Sequence, residues 1–355
     1  MIHPWLFKPE LYNDELFSSW LIRTALLQGC DPITLTNSIW PKWRVWTIDR
    51  DRSIPNDKLN TLMQLTTEDS SFFEKAFLKP IAERITNEQL DNRGNWPFII
   101  AYGMRNRRSH AGLQFCPICL NTGEPYFRRT WRIAWHVTCP IHHVGLMDKC
   151  QHCLKPIQIQ HIQIGQHSLA TCTSCNEELH KFPQDNPKIH TNVYKMQELC
   201  IEALNIQPAN YRNSFFKKLQ FCISLIRFSN RTPTKGLKNF IKNFNIDNFS
   251  SQTSLVFELL PINERSQLLE YCYPLMTCSY EEIVRSLQKN KVSFRLIQSM
   301  KTKLPDEFKS LAKKELNWTP KNHHKSKSKD HKKTKSVRTV KQMHARLIRK
   351  FNSYL

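Results

Sequence analysis

Apolar residues recur at helical spacing through most of the chain. In NDELFSSWLIRTALLQG, Leu16, Trp20 and Leu27 share one face; Asn13 or Asp14 is placed to cap the start, and Gly29 to end it. DPITLTNSIW opens with Asp31 as a cap and Pro32 at the first helical position. Leu59, Leu62, Met63 and Leu65 mark a third helix, and Phe72, Phe73, Ala76 and Phe77 a fourth. Short helices with tight turns predict a small N-terminal bundle over 1–110, either of helix-turn-helix type or a plain one.

A second helical section follows over 186–318. YKMQELCIEAL and SFFKKLQFCISLIRF are amphipathic. CSYEEIVRSLQKNKVSFRLIQSM is the most defined stretch: Ser279 and Glu282 form a capping box, and Ile283, Val284 and Leu287 give an apolar face. KNK breaks the helix, and Ser293 caps a second one carrying Leu296 and Ile297. This is the outline of a helix-turn-helix, and equally that of an ordinary helical hairpin. Residues 319–336 have no large apolar side chain and read as a disordered basic linker. From 337 to 355 a helical stripe returns at Val337, Val340, His344, Leu347 and Phe351.

Between the helical sections, residues 111–185 lose that period and carry seven of the twelve cysteines. Cys116 and Cys119, Cys139 and His142, Cys150 and Cys153, and Cys172 and Cys175 are each separated by two residues. Such a gap lets both side chains of a tight turn point at one metal, and two such knuckles complete a tetrahedron. The pattern predicts two Zn2+ ions in a tandem module with short β-hairpins. Spacing alone leaves open whether successive or alternate knuckles share a metal, and whether His143 replaces His142. Cys200, Cys222, Cys272 and Cys278 lack partners at ligand spacing, and Cys30, Cys200 and Cys222 read as core residues.

Each predicted metal has four protein donors and no open position for water, which makes it structural rather than catalytic. The chain holds no H-E-x-x-H, no G-x-x-x-x-G-K, no deaminase H-x-E, and no acidic cluster suited to two-metal chemistry. It is expected not to be an enzyme. The start, MIHPWLFKPE, lacks a basic region followed by an apolar one, and no run of 18 apolar residues occurs. A cytoplasmic, DNA-associated protein with reduced cysteines is expected.

The chain is formally +22, which points to a polyanionic partner such as double-stranded DNA. From Lys321 to Lys350 there are twelve Lys or Arg against one acid, Asp330, which is half of that excess. Lys332, Lys333, Arg338, Lys341, Arg346, Arg349 and Lys350 are therefore read as phosphate contacts. YFRRTWR adds Arg128, Arg129 and Arg132 among aromatic residues, either a nucleic-acid contact or the solvated face of a small core.

Taken together, DELFSSWLIRTALLQG, LQFCPICL, PYFRRTWRIAWHVTCPIHHVGLMDKCQHC and CTSC resemble the TniQ family, which includes TnsD; the resemblance covers about residues 4–180. It implies a selector of target sites for Tn7-like transposons. Such a protein binds target DNA or docks on a CRISPR Cascade-type RNA-guided complex, there as a homodimer, and recruits a TnsC-like AAA+ ATPase. The resemblance also favours pairing of successive knuckles: Cys116, Cys119, Cys139 and His142 at one zinc, Cys150, Cys153, Cys172 and Cys175 at the other. The alternative reading is a stand-alone zinc-containing DNA-binding transcriptional regulator. Glu15, Ser18, Trp20 and Arg23 are expected to stabilise the N-terminal unit rather than to bind a ligand.

Overall fold

The computed structural model describes residues 3–316, apart from 93, 103–112, 166, 182–188, 233, 247–254 and 301, and His344 beyond them. The chain divides into two compact units, Met1–Asn317 and Trp318–Leu355. The basic residues expected to contact phosphate, from Lys332 to Lys350, lie outside the described residues.

The first unit is mainly helical. Its N-terminal section holds α1 (Phe17–Leu27), α2 (Pro32–Ile39), α3 (Asn56–Thr66), α4 (Ser70–Glu74) and α5 (Lys79–Thr86). A five-residue helix, α6 (Pro117–Asn121), opens the cysteine-rich section, whose β structure among the described residues is limited to isolated bridges. Then come α7 (Thr191–Asn205), α8 (Ala209–Arg231), α9 (Lys235–Lys242), α10 (Ile262–Thr277), α11 (Tyr280–Lys289), α12 (Phe294–Gln298) and α13 (Asp306–Glu315).

Helix α1 separates two apolar cores. Phe17, Trp20, Leu21 and Ala25 pack with Leu35, Trp40, Leu62, Phe73 and Phe77 of the N-terminal bundle. Leu16 and Ile22 point into a second core that runs without a break through the cysteine-rich section to Leu316. Every residue from Phe17 to Ile22 is buried, as a helix between two cores requires. Gly29, at φ 72°, ends α1 in the left-handed conformation that glycine adopts without a Cβ clash.

The start of α1 differs from its sequence reading. The helix begins at Phe17 with no local side-chain cap. Asp14, at φ 62°, turns away and accepts hydrogen bonds from Thr130 N and Oγ1. The cap comes from Asp51, whose carboxylate accepts from Ser18 N at 2.7 Å and from Ser18 Oγ at 3.0 Å. A carboxylate there satisfies a free N–H and meets the positive end of the helix dipole. Asp31 occupies the N-cap position of α2, yet its side chain accepts from Ile164 N instead. Pro32 does sit at the first turn.

The sections defined by sequence share their interior. Helix α8 packs against α5, α7 and α10, so the N-terminal bundle and the C-terminal helices meet directly. Arg84 donates to Leu204 O, and Arg212 to Arg84 O. Arg265 of α10 is wholly buried and donates to Leu260 O, Ala134 O and Gln114 Oε1, joining α10 to the cysteine-rich section. Burial lowers its pKa to about 10. Cys200, Cys222 and Cys272 are buried in this core, where burial pushes their thiols up, while Cys30 and Cys278 are half-buried. The Ser279–Glu282 capping box forms in both directions, and Ser293 caps α12. Helix α12 lasts five residues only, and α13 packs on α11. Among the described residues no helix is long and apolar enough to cross a membrane.

Candidate metal centres and the arginine segment

The cysteine-rich section uses one local device three times. In the knuckles that begin at Cys139, Cys150 and Cys172, the cysteine N–H donates to the carbonyl five residues on: Val144, Lys155 and Glu177. The cysteine carbonyl accepts from the residue four on: His143, Leu154 and Asn176. Those three residues all take the left-handed conformation, at φ 51°, 58° and 62°. Single antiparallel bridges, Thr138–Gly145, Lys149–Pro156 and Thr171–Glu178, close the hairpins. The turn thus presents its first and fourth residues on the same side. The first knuckle differs: Cys116 is the N-cap of α6, with Pro117 next and Cys119 N donating to Cys116 Sγ at 3.5 Å.

This turn separates the two adjacent histidines. His142, as the fourth residue, brings Nδ1 to 3.5 Å from Cys116 Sγ, 3.3 Å from Cys119 Sγ and 3.6 Å from Cys139 Sγ. His143 is the left-handed residue. Its carbonyl accepts from the Tyr194 hydroxyl at 2.8 Å, and its ring lies against that of Tyr194.

The donors gather in chain order. Cys116, Cys119, Cys139 and His142 form one set and Cys150, Cys153, Cys172 and Cys175 another, each with its donor atoms within 4.8 Å of one another. Sulfur–sulfur distances are 3.7 Å for Cys119–Cys139, 3.6 Å for Cys150–Cys175 and 3.7 Å for Cys153–Cys172. A tetrahedron with metal–sulfur bonds of ~2.3 Å has an edge of ~3.8 Å, so both sets have the size to hold a metal ion. Hydrogen bonds from Cys116 and Cys119 hold the Cys139 thiol well below its ordinary range, favouring the thiolate that ligation needs. Cys116, Cys139, Cys150 and Cys172 are buried.

Three residues crowd the same stretch without joining either set. His136 is buried, and neither ring nitrogen makes a hydrogen bond among the described residues; burial lowers its pKa to about 4. His143 is placed as described, and His152 is exposed between two ligands.

The arginines of YFRRTWR have three different environments. Arg132 is 1% exposed and does not face solvent. It donates to Asp51 Oδ2 at 2.8 Å, Asp49 Oδ2 at 2.7 Å and twice to Ile100 O. Its assignment as a nucleic-acid contact is therefore corrected: the guanidinium is spent on holding Asp51, and through it the start of α1. Arg129 is half-buried and faces Asp14 at 3.5 Å. Arg128 stacks over Tyr126 at 4.7 Å and Trp131 at 5.9 Å. Tyr126 in turn stacks on Tyr12, and Arg23 lies 3.8 Å over Tyr12. Arg23 also pairs with the buried Glu15, which accepts from Ser19 Oγ.

Sequence reasoning missed the partner of Arg132. DRDR, residues 49–52, is a run of four charged residues, yet Arg50, Asp51 and Arg52 are all buried. Arg50 lies against the Trp46 and Tyr102 rings, and Arg52 over Trp96, with a hydrogen bond to Gly94 O. The only local signal is the flanking tryptophans, whose faces shield cations.

No curated protein matches the chain. Residues 6–146, which include α1–α6 and the whole first donor set, match the family model TniQ.

Proposed function

We propose that this protein selects target sites in a Tn7-like transposition system, as a non-catalytic adaptor with two structural zinc ions. The TniQ domain over 6–146 carries the reading, since it fits a target-selection role. Zinc suits both donor sets, three thiols with one imidazole and four thiols, because it takes sulfur and nitrogen ligands in a tetrahedron. Its binding supplies on the order of 10–16 kcal/mol toward folding a section whose regular structure among the described residues is one five-residue helix, short 3-10 turns and isolated bridges. Four protein donors per metal leave no position for a reacting water, so the metals serve the fold.

The partners in this reading are target double-stranded DNA or a CRISPR Cascade-type complex on one side and a TnsC-like AAA+ ATPase on the other. The +22 charge supports a nucleic-acid partner. Arg128, stacked over Tyr126, and Arg129 are the proposed contacts within the first donor set's segment, with Lys332, Lys333, Arg338, Lys341, Arg346, Arg349 and Lys350 in the tail. The test is a pull-down with the tagged full chain, a TnsC-like ATPase and target DNA. Co-purification of ATPase only with both others present supports the adaptor. No retention of ATPase, with repression of a promoter instead, favours the DNA-binding regulator.

A further inference from the structure

Helix α8 floors a groove that neither the metals nor the arginines use. Two adjoining cavities, of ≈ 240 and ≈ 280 Å³, share Asn213, Lys217, Pro305 and Asp306. The first has an apolar pit formed by Ile85, Phe98, Phe216 and Leu304. Along the floor, Asn210, Asn213, Ser214, Lys217 and Gln220 follow one another at helical spacing. At 1.5 Å per residue that stripe is ~15 Å long, the span of about four to five residues of extended chain.

Three observations say what fits there. First, the Asn210, Asn213, Ser214 and Gln220 side chains make no hydrogen bond with the described protein. An amide side chain offers a donor and an acceptor, the complement of a peptide unit. Second, the pit is too small for a cofactor-sized ligand, which takes about 300–1,000 Å³, but has room for one aromatic or branched side chain. Third, the groove is nearly balanced in charge within a strongly basic protein. Lys217 and Lys303 face Glu88, Asp306 and Glu307, so a phosphodiester chain gains nothing from it.

We infer that this groove binds an extended peptide segment of a partner protein, with an apolar side chain in the pit and a neighbouring acidic residue against Lys217. The inference is independent of how the chain meets DNA. The probe is a blocked, fluorescein-labelled hexapeptide, Gly-Ser-Phe-Glu-Ser-Gly, titrated with the full chain and read by anisotropy. Saturable binding is expected. It should be lost when serine replaces the phenylalanine, and fall about fivefold or more in Lys217→Glu. Exchanging the peptide glutamate for lysine should restore binding to Lys217→Glu while weakening it to the unaltered protein. Asn213→Ala, a half-exposed position, should weaken both peptides alike. Unchanged melting temperatures of the variants confirm that they fold. Absence of saturable binding, binding indifferent to Lys217→Glu and Asn213→Ala, or displacement of the peptide by oligo(dT) at equal concentration would each overturn the inference. So would self-association of the chain that Lys217→Glu abolishes.

Discussion

Replacing Arg132 by methionine separates a structural arginine from a DNA-binding one. Methionine keeps much of the volume and removes the charge. Two donors to carboxylates disappear, at 2.8 Å to the buried Asp51 and at 2.7 Å to the half-buried Asp49, along with both bonds to Ile100 O. Asp51, with no exposure, is left without its ion-pair partner while still holding the start of α1. Breaking a buried pair on one side costs about 3–5 kcal/mol. Arg50 lies close enough to Asp51 to offset part of this, so the lower end is expected. At about 2 °C per kcal/mol for a unit of this size, the melting temperature should fall by roughly 6 °C or more. The assay is thermal and urea unfolding followed by tryptophan fluorescence. Arg132→Met combined with Asp51→Asn should be less destabilised than the sum of the two single variants by at least ~1 kcal/mol, because the orphaned charge is gone. Strictly additive losses, or an Arg132→Met protein as stable as the parent with weaker DNA binding, would refute the reasoning.

Other predictions test the metals, the pH response and the tail. His142→Ala should release one of two bound zinc ions, measured by a chromogenic chelator, while His143→Ala retains both; the reverse pattern would contradict the knuckle geometry. Burial lowers His136 from 6.5 to about 4, so its neutral form is favoured in the fold. That contribution is complete above pH 6.5 and lost as pH falls toward 4, up to about 3 kcal/mol. His136→Phe should flatten that part of the stability–pH curve, and a curve parallel to the parent's would rule it out. Deleting 321–355 should make the slope of log affinity for DNA against log salt shallower, by about 0.9 for each phosphate that the tail neutralises in the full chain. An unchanged slope means the tail does not touch DNA.

The four pairs of candidate metal donors were legible because their geometry is local, whereas their grouping into two sets rested on the resemblance. A ligand, two residues and a second ligand make one turn, and that turn fixes where both side chains point. Even the choice between His142 and His143 is contained in it, although the left-handed fourth step becomes visible only once the hairpin is built. Helix existence was legible for the same reason: the apolar period, the Ser279 capping box and Pro32 all act within a few residues. The charge of the tail is a property of composition and needs no fold.

What tertiary structure alone decided concerns long-range partners. Asp14 had the right position to cap α1, yet it binds Thr130 across the chain, and Asp51, 33 residues from Ser18, takes the cap. Arg132 had the sequence setting of a surface cation beside aromatic residues, and Asp51 stands in a run of four charged residues, DRDR. Arg132 and Asp51 are buried because each has the other: the carboxylate and the guanidinium satisfy one another by hydrogen bonds out of water. Sequence spacing reports which groups lie on one turn. It carries no signal for two charges 81 residues apart that become each other's solvent.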